Sequence, residues 1–448
     1  GSILIVAPDE KDVDLIIGAL TKFGLSSLKL TAAMPREDRY RNYLEAMRRS
    51  ISIVVGTRSA IFAPVNNLTT VIIHKESSLD HYEVRSPGWN TRTVALIRSE
   101  VESFKLVLTG FSPSIEVAQL IDEREIKYLN AKESVTVKAF TPSEGALLPG
   151  RIFTDVKKAL TTGPVLFIAP RKGYGNALLC AHCRNVAACE CGGRLSVSGK
   201  GNAPSCVHCG NSFPAWKCTF CNRDKQYLAG RGIERAAEEI SRAFPNFPVV
   251  ISAGEVIKDR IEAKPALVLA TPGAQPQVEG GYAAVVILEG LRFFAHTDLR
   301  TQERARELFL ETSSLISPEG SVLLVIDDSH PIVSAIARWN IAPLLKRELS
   351  ERLELKLPPS VFSVVLVMDQ AISMQIANGL KKAAAEGRIP PSSCIYGPTE
   401  ISKGQVKIVI HADKKDASAL TDSMHELQRR RSIAKKALFT LRVEPYSL

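Results

Sequence analysis

The sequence predicts an α/β protein with two parallel, doubly wound sheets, a cysteine-rich insert in the second sheet domain and a C-terminal βαββαβ domain. Three observations predict this fold class. Short apolar runs alternate with helix-like segments twice along the 448 residues. Eight of the nine cysteines fall between Cys180 and Cys221. Beyond Pro358-Pro359 the order becomes strand, helix, two strands, helix and strand, which is typical of a split ferredoxin-like domain.

The first sheet domain is predicted to span residues 1–145. Uninterrupted apolar runs indicate buried parallel strands at 2–8, 51–55, 69–73 and 105–108, with a short strand at 27–30. Helical spacing covers 12–23 and 36–48. Ligands bind beyond the carboxyl ends of such strands. We therefore expect a ligand of this domain to bind near residues 56–60, 74–77 and 109–113, which follow three of the strands.

The second sheet domain is predicted to span 146–355, and the insert, residues 178–224, interrupts it. Strands are predicted at 164–169, 248–252, 266–270, 283–288 and 321–326, with helices at 230–244 and 298–311. The terminal domain, 356–448, has strands predicted at 361–368, 393–396, 405–411 and 438–443. Its helices are predicted at 371–386 and 416–436.

The insert contains its cysteines in four close pairs, three of them Cys-x-x-Cys and one Cys-x-Cys. Such spacing lets two thiolates from one turn converge on one cation, and eight ligands are enough for two Cys₄ zinc sites. A disulfide framework is the alternative, although it is typical of short secreted chains. His182 and His208 lie inside two pairs and could each replace a thiolate.

The composition favours a polyanionic partner. The formal net charge is +10, which is typical of nucleic-acid-binding proteins. Clustered cysteines fit a reducing compartment, so we expect a cytoplasmic, nucleoid-associated protein. No apolar run of about 18 residues predicts a membrane span. The chain begins Gly1-Ser2 instead of Met, so we expect the natural protein to extend further at its N-terminus.

Several stretches together resemble the PriA family of replication restart proteins, also called primosomal protein N′. They are VGTRSAIF at 55–62, GPVLFIAPRKGYGNALLCAHC at 163–183, the four cysteine pairs, Asp298-Leu299-Arg300 and Leu357-Pro358-Pro359. The resemblance implies two RecA-like helicase lobes and two zinc ions. It also implies how the pairs combine: Cys180, Cys183, Cys218 and Cys221 at one zinc, and Cys189, Cys191, Cys206 and Cys209 at the other. The second pair is one residue shorter here than in the family.

Active family members are superfamily-two helicases that hydrolyse ATP between the two sheet domains. The sequence contains no Gly-x-x-x-x-Gly-Lys-Ser/Thr loop. The family's acidic DEEH motif reads His74-Lys75-Glu76-Ser77, and the region of its arginine-finger motif, 311–319, has no arginine. The resemblance therefore implies a degenerate member, of the kind found in actinobacteria. We predict no catalytic residues and no ATP or Mg²⁺.

DNA-contacting residues are predicted on three segments. The family's aromatic-rich loop corresponds to 82–92, where Arg85, Trp89 and Arg92 suit stacking on bases and contact with phosphates. The alternative is that Trp89 packs on the domain surface. The basic candidates elsewhere are Arg171, Lys172, Lys403, Lys407, Arg429, Arg430, Arg431, Lys435 and Lys436. The alternative for the terminal-domain residues is a solvated helix face.

The predicted function is a replication restart protein that recognises forked, branched or single-stranded DNA without helicase activity. The resemblance implies partners among single-stranded DNA-binding protein and the proteins that load the replicative helicase, and a monomeric chain. The first alternative is an active ATP-dependent 3′-to-5′ DNA helicase with divergent motifs. The second is a generic zinc-ribbon nucleic-acid binder.

Overall fold

The fold is taken from a computed structural model of the chain. It describes residues 1–48, 51–85, 88–131, 135–142, 147–170, 178–197, 202–228, 233–296, 298–402 and 404–448. These residues form two compact units. One unit combines Gly1–Lys127 with Leu345–Leu448, and the other is Tyr128–Leu344.

The first sheet has five parallel strands. The strands of this region are β1 Ser2–Val6, β2 Leu28–Leu30, β3 Ile53–Gly56, β4 Leu68–Ile73, β5 Tyr82–Glu83, β6 Trp89–Asn90 and β7 Lys105–Leu108. The helices are α1 Glu10–Lys22, α2 Arg36–Arg48, α3 Thr91–Glu102 and α4 Ile115–Asp122. The sheet order is β2-β3-β1-β4-β7, whereas β5 and β6 form a separate hairpin. Apolar side chains of β1, β3 and β4 form its core because those strands are covered on their faces.

The second sheet has six parallel strands in the order β14-β16-β9-β18-β19-β8. The strands of this unit are β8 Thr136–Ala139, β9 Val165–Ile168, β10 Leu178–Cys180, β11 Leu195–Ser196, β12 Ser205–Cys206, β13 Gln226–Leu228, β14 Val249–Ser252, β15 Arg260–Ile261, β16 Leu267–Ala270, β17 Gln277–Val278, β18 Tyr282–Ile287 and β19 Ile316–Leu324. Its helices are α5 Ile152–Leu160, α6 Ile233–Ala243, α7 Thr301–Ser313 and α8 Pro331–Ala337. Strands β9 and β16 are buried at every residue, which explains their uninterrupted apolar sequences.

The terminal domain follows helix α9, Ala342–Glu354. Its elements are β20 Phe362–Asp369, α10 Gln370–Ala385, β21 Cys394–Ser402, β22 Gln405–Ala412, α11 Ala417–Ile433 and β23 Thr440–Val443. The strands pair antiparallel in the order β21-β22-β20-β23. Asp369 caps α10 by accepting a hydrogen bond of 2.8 Å from the N–H of Ala371.

The predicted fold class is confirmed, with both parallel sheets, the interrupted second domain and the βαββαβ order all present. The domain boundaries stay a prediction; strand β8, on the N-terminal side of residue 145, pairs in the second sheet. Among the described residues, no helix is both long enough and apolar enough to cross a membrane.

Candidate metal centres and DNA-contacting surfaces

The insert gathers its eight cysteines into two groups of four. The first cluster is Cys180, Cys183, Cys218 and Cys221, and the second cluster is Cys189, Cys191, Cys206 and Cys209. All sulfur atoms of a cluster lie within 4.8 Å of one another. These are the two sets that the family resemblance implies, and each could hold a metal ion.

The sulfur spacing fits ligands around a metal ion. The Sγ atoms of Cys180 and Cys221 are 3.4 Å apart, and those of Cys191 and Cys206 are 3.5 Å apart. A disulfide would need about 2.0 Å, whereas four thiolates about 2.3 Å from a zinc ion lie roughly 3.8 Å apart. All nine cysteines are free thiols. The disulfide alternative is therefore excluded, and the all-sulfur donor set suits zinc.

The three Cys-x-x-Cys pairs close the same hydrogen-bonded turn. In each, the N–H of the first cysteine donates to the carbonyl five residues later, and its own carbonyl accepts from the N–H four residues later. The first cysteines are Cys180, Cys206 and Cys218, with N···O distances of 2.8 to 3.0 Å. The fourth residue after each has a left-handed backbone: Arg184 (φ 61°), Gly210 (φ 74°) and Asn222 (φ 57°).

The Cys-x-Cys pair closes the equivalent turn one residue earlier. The N–H of Cys189 donates to the carbonyl of Gly193 at 2.7 Å, and the N–H of Gly192 donates to the carbonyl of Cys189 at 2.8 Å. Gly192 supplies the left-handed residue with φ 81°. A Cβ on Gly193 would lie 2.5 Å from the Sγ of Cys206. The two glycines therefore compensate for the missing residue.

The two clusters differ in exposure. Cys180 and Cys218 of the first cluster are buried and their partners are half-buried, whereas Cys191 and Cys209 of the second are exposed. Desolvation opposes ionisation of Cys206, but the N–H groups of Cys209 and His208 and the Cys191 and Cys209 thiols together lower the pKa of this thiol to about 6. In the same cluster, hydrogen bonds with the neighbouring thiols, acting against a backbone N–H, raise the pKa of Cys209 to about 12. A low thiol pKa favours the thiolate that a metal ion requires.

The first cluster is joined to the second sheet by a chain of polar contacts. Arg184, next to Cys183, lies with its guanidinium carbon 3.5 Å from the ring centre of Tyr227. The Tyr227 hydroxyl donates to Glu289 at 2.9 Å, and Glu289 pairs with buried Arg292 at 2.6 Å. Because Glu289 follows strand β18, this series of polar contacts connects a cysteine turn to the carboxyl end of a central strand.

The segment after strand β4 carries the residues that replace the family's acidic motif. The Lys75 ammonium pairs with Asp12 Oδ1 at 3.0 Å. The carbonyl of His74 accepts a hydrogen bond of 2.8 Å from Nε2 of buried His81, and burial lowers the pKa of His81 to about 4. The segment is therefore contacted by the neutral imidazole of His81 and itself carries the Lys75 cation.

Glu76 is the one acidic residue left in this motif, and other groups occupy its carboxylate. It accepts hydrogen bonds from Arg92 Nη1 at 2.9 Å, from the Ser114 N–H at 2.6 Å and from the Ser114 hydroxyl at 2.9 Å. Ser114 caps helix α4, so the carboxylate lies at a helix N-terminus. Glu76 is 2% exposed and Arg92 is 7% exposed. Glu76 therefore stabilises the packing of α3 and α4 against the sheet.

The Trp89 ring of the aromatic-rich segment contacts a second ring, Phe62, that was not predicted from the sequence. Trp89 is half-buried and packs against the core of the first sheet. Its ring lies 4.9 Å from that of Phe62 in an edge-on contact, and the guanidinium of Arg58 lies 5.8 Å from it. Phe62 is 54% exposed. Arg85 is exposed, whereas Arg92 is buried in its pair with Glu76.

The basic residues of the terminal domain differ in exposure and in their ion pairs. Arg429 and Arg430 are exposed but both pair with Glu426, at 2.6 and 2.7 Å. Arg431 is buried and donates to the carbonyl of Ala437 at 2.8 Å. Lys407 is half-buried on β22, and Lys435 and Lys436 are exposed. Arg171, Lys172 and Lys403 lie outside the described residues.

Comparison with known proteins finds relatives that are named PriA. No protein-family model matches the chain. The chain is 33% identical over 389 residues to the probable replication restart protein PriA of Mycobacterium tuberculosis, and 31% identical over 426 residues to that of Mycobacterium leprae. These matches cover 82% and 90% of the chain. The chain is a homologue of PriA.

This PriA homologue spans 59% of the M. tuberculosis relative and 64% of the M. leprae relative. Among solved structures, it is similar to RecG bound to a three-way DNA junction, with a TM-score of 0.40 and 12% identity. That match covers 79% of the chain and 43% of RecG. A mycobacterial helicase Lhr bound to single-stranded DNA and AMP-PNP gives a TM-score of 0.35, with 78% and 42% covered at 12% identity.

Sequence reasoning found the ligands of both clusters in this PriA homologue but missed residues that shape the sites. Gly192 and Gly193 were missed, although a glycine pair directly after a shortened Cys-x-Cys is a readable signal. Phe62 was also missed, because its contact with Trp89 joins two segments that are distant in sequence.

Proposed function

We propose that this chain is the core of a replication restart protein that binds forked or branched DNA and recruits primosome components without hydrolysing ATP. The homologues named PriA support the restart role. The chemistry after strand β4 supports the lack of ATP hydrolysis. The net charge of +10 and the exposed basic and aromatic side chains support DNA binding.

The observation that carries this proposal is the state of the His74–Ser77 segment. Magnesium binds anionic oxygens and water at about 2.0 to 2.1 Å. Here an ammonium, Lys75, stands where a magnesium-binding carboxylate would be needed, and it is already paired with Asp12. The remaining carboxylate, Glu76, accepts three hydrogen bonds inside the protein. The segment 311–319 also supplies no arginine, a residue that accelerates related phosphoryl transfers by roughly 10³–10⁵.

The proposed DNA contacts recognise backbone and stacked bases. Phe62 with Trp89 offers an aromatic face to unpaired bases, and Arg85 offers a charge to phosphate. Lys435 and Lys436, with Arg429 and Arg430 beside them, offer phosphate contacts on the terminal domain. Because none of these groups requires a particular base edge, we expect preference for DNA structure and a steep salt dependence.

We also propose that each cluster binds one zinc ion. When bound, zinc supplies a cross-link between two cysteine turns and so folds a segment that has a small apolar core of its own. The chain's own residues hold these turns ready through the hydrogen bonds that close them. We propose that the surface of the insert receives single-stranded DNA-binding protein or the loading proteins of the replicative helicase.

Competition binding with the full natural protein tests this function. Fluorescence anisotropy would measure a labelled fork displaced by unlabelled fork or linear duplex of equal length, with and without Mg·ATP. We expect fork to compete better than duplex and ATP to leave both affinities unchanged. Equal competition by the two DNAs would favour a generic zinc-ribbon binder. Fork affinity that changes with Mg·ATP would favour the active helicase.

A further inference from the structure

The two turns of the first cluster each present an exposed planar ring. Phe220 comes one residue before Cys221, and His182 comes one residue before Cys183. Phe220 is 69% exposed, so most of its face is open to solvent. In the second cluster, the shortened turn carries exposed Glu190 between its two cysteines, and the other turn carries exposed His208 before Cys209, so neither turn presents a phenyl ring.

Basic side chains flank Phe220. Lys217 and Arg223 are both exposed, and neither has an ion-pair partner among the residues that the structure describes. The N–H of Cys218 donates to the carbonyl of Arg223 at 2.8 Å, which brings the two ends of the turn together. Lys217 and Arg223 therefore start from the base of the turn that carries Phe220. The insert as a whole has five Lys and Arg against two Asp and Glu.

The ring is held on a rigid support. A second hydrogen bond, from the N–H of Asn222 to the carbonyl of Cys218 at 2.9 Å, closes the turn from inside. The sulfur atoms of Cys218 and Cys183 are 3.5 Å apart, so a metal ion would fix this turn to the first one. A ring presented by a preorganised turn loses little conformational freedom on binding.

We infer that the fourth cysteine turn, through Phe220, Lys217 and Arg223, is a stacking site for single-stranded nucleic acid, with His182 as a second ring on the same cluster. One base stacks on Phe220, and the two cations contact the phosphates on either side. The positive charge around the ring favours a nucleic-acid strand over a protein partner. This site deepens the proposed function, on which it rests, because it assigns the unpaired strand of a fork to the first cluster.

Substitution of Phe220 in the zinc-loaded full chain tests this site. The probes are a labelled oligothymidylate and an oligonucleotide of equal length that lacks bases. We expect Phe220→Ala to weaken oligothymidylate binding about 5- to 100-fold and to leave the abasic probe unchanged. Phe220→Tyr keeps a planar ring and should bind oligothymidylate as tightly as the parent does. Phe220→Leu lacks the ring and should bind it weakly. Phe23→Ala is the matched control, because Phe23 is 83% exposed at the end of α1.

The charged residues have their own signature. Lys217→Ala with Arg223→Ala should weaken both probes, and it should lower the salt slope by roughly 0.7 for each phosphate that is no longer neutralised. The inference is wrong if Phe220→Ala and Phe220→Leu bind oligothymidylate as tightly as the parent while retaining zinc. That outcome would leave the proposed function intact, provided that the parent prefers forks. A parent protein that binds no DNA would remove the proposed function itself.

Discussion

Single side chains decide which contacts form after strand β4 of the first sheet. Glu76 accepts hydrogen bonds from three donors, and the Lys75 ammonium pairs with Asp12. Removing one partner of this buried pair would be strongly destabilising, because it would leave an uncompensated buried charge. The same position therefore serves structure in this chain.

His81 makes the first sheet sensitive to acid. Burial holds the pKa of His81 near 4, against an ordinary value of 6.5, so the unfolded chain takes up a proton that the folded chain refuses. The contribution of neutral His81 to the free energy of unfolding is fully present above pH 6.5 and is lost as the pH falls toward 4. We expect a loss of about 2 kcal/mol of unfolding free energy at pH 5 from this group.

The variant His81→Gln isolates this contribution. Glutamine keeps an N–H donor for the His74 carbonyl but does not titrate. Urea unfolding at pH 7.5 and pH 5 should show a smaller loss of stability in the variant than in the parent. Identical losses in the two proteins would contradict the assignment.

Glu426 restrains the basic face of the terminal domain. Hydrogen bonds from Arg429 and Arg430 lower the pKa of Glu426 to about 2, so the carboxylate stays charged and holds both guanidinium groups. We expect Glu426→Gln to free them, to tighten fork binding about 2- to 10-fold, and to steepen the salt slope by roughly 0.9 for each additional phosphate that is neutralised.

Glu386→Gln is the control for Glu426→Gln. Glu386 also pairs with two basic residues, Lys382 and Arg388, but it follows helix α10. Both variants change the net charge equally. If they tighten binding to the same extent, the effect comes from overall charge, and the helix α11 face has no special part in DNA contact.

At the scale of elements, the four cysteine turns show how local spacing determines a site. The three Cys-x-x-Cys turns share one hydrogen-bond pattern. The Cys189–Cys191 turn reproduces this pattern with one residue fewer because Gly192 adopts a left-handed backbone. Gly193 then passes close to the Cys206 sulfur. Both glycine positions are therefore required by the geometry of the second cluster alone.

Substitution of Gly193 should separate the two clusters. The Cβ of Gly193→Ala would lie 2.5 Å from the Cys206 Sγ and 2.7 Å from the His208 Cβ, so the second cluster must distort. We expect the variant to retain about one zinc ion where the parent holds two. The retained ion should be the one in the first cluster, which we expect to be released more slowly. Zinc release by a thiol-modifying reagent, followed with a chromogenic chelator, measures both amounts and rates.

Gly150→Ala is the control for Gly193→Ala, because a Cβ there meets nothing within 4 Å. It should hold two zinc ions. Full zinc content in Gly193→Ala, with parental release kinetics, would show that the second cluster does not depend on the shortened turn.

Much of the fold was readable from the sequence because the signals are local. Strand 105–108 and helix 36–48 have the bounds that their apolar and charged patterns predict. The four cysteine pairs followed from spacing, and their combination into two sets followed from the family resemblance. Long-range pairing was not readable: Arg92 looks like a DNA contact in sequence, but it meets Glu76 and Ser114, which are 16 and 22 residues away. Glu426, by contrast, pairs with Arg429 and Arg430 only three and four residues away, and a count of basic residues alone overlooks this local pairing.

At the scale of the whole molecule, the domains together carry an excess of positive charge. Two parallel sheets, a two-cluster insert and a βαββαβ domain provide a basic framework with a net charge of +10. The edge of the first sheet that would hold Mg²⁺ in an ATPase is filled by internal ion pairs. Under the proposed function, the energy of fork recognition would come from DNA contacts and metal-fixed turns, with no contribution from ATP.

Phosphate release by the full natural protein tests this central claim most directly. The measurement compares steady-state release from Mg·ATP with and without saturating forked DNA, beside a DNA-stimulated ATPase as positive control. We predict that forked DNA leaves release at the level of the protein-free background. Release stimulated many-fold by the fork, and abolished by removing Mg²⁺, would contradict the claim.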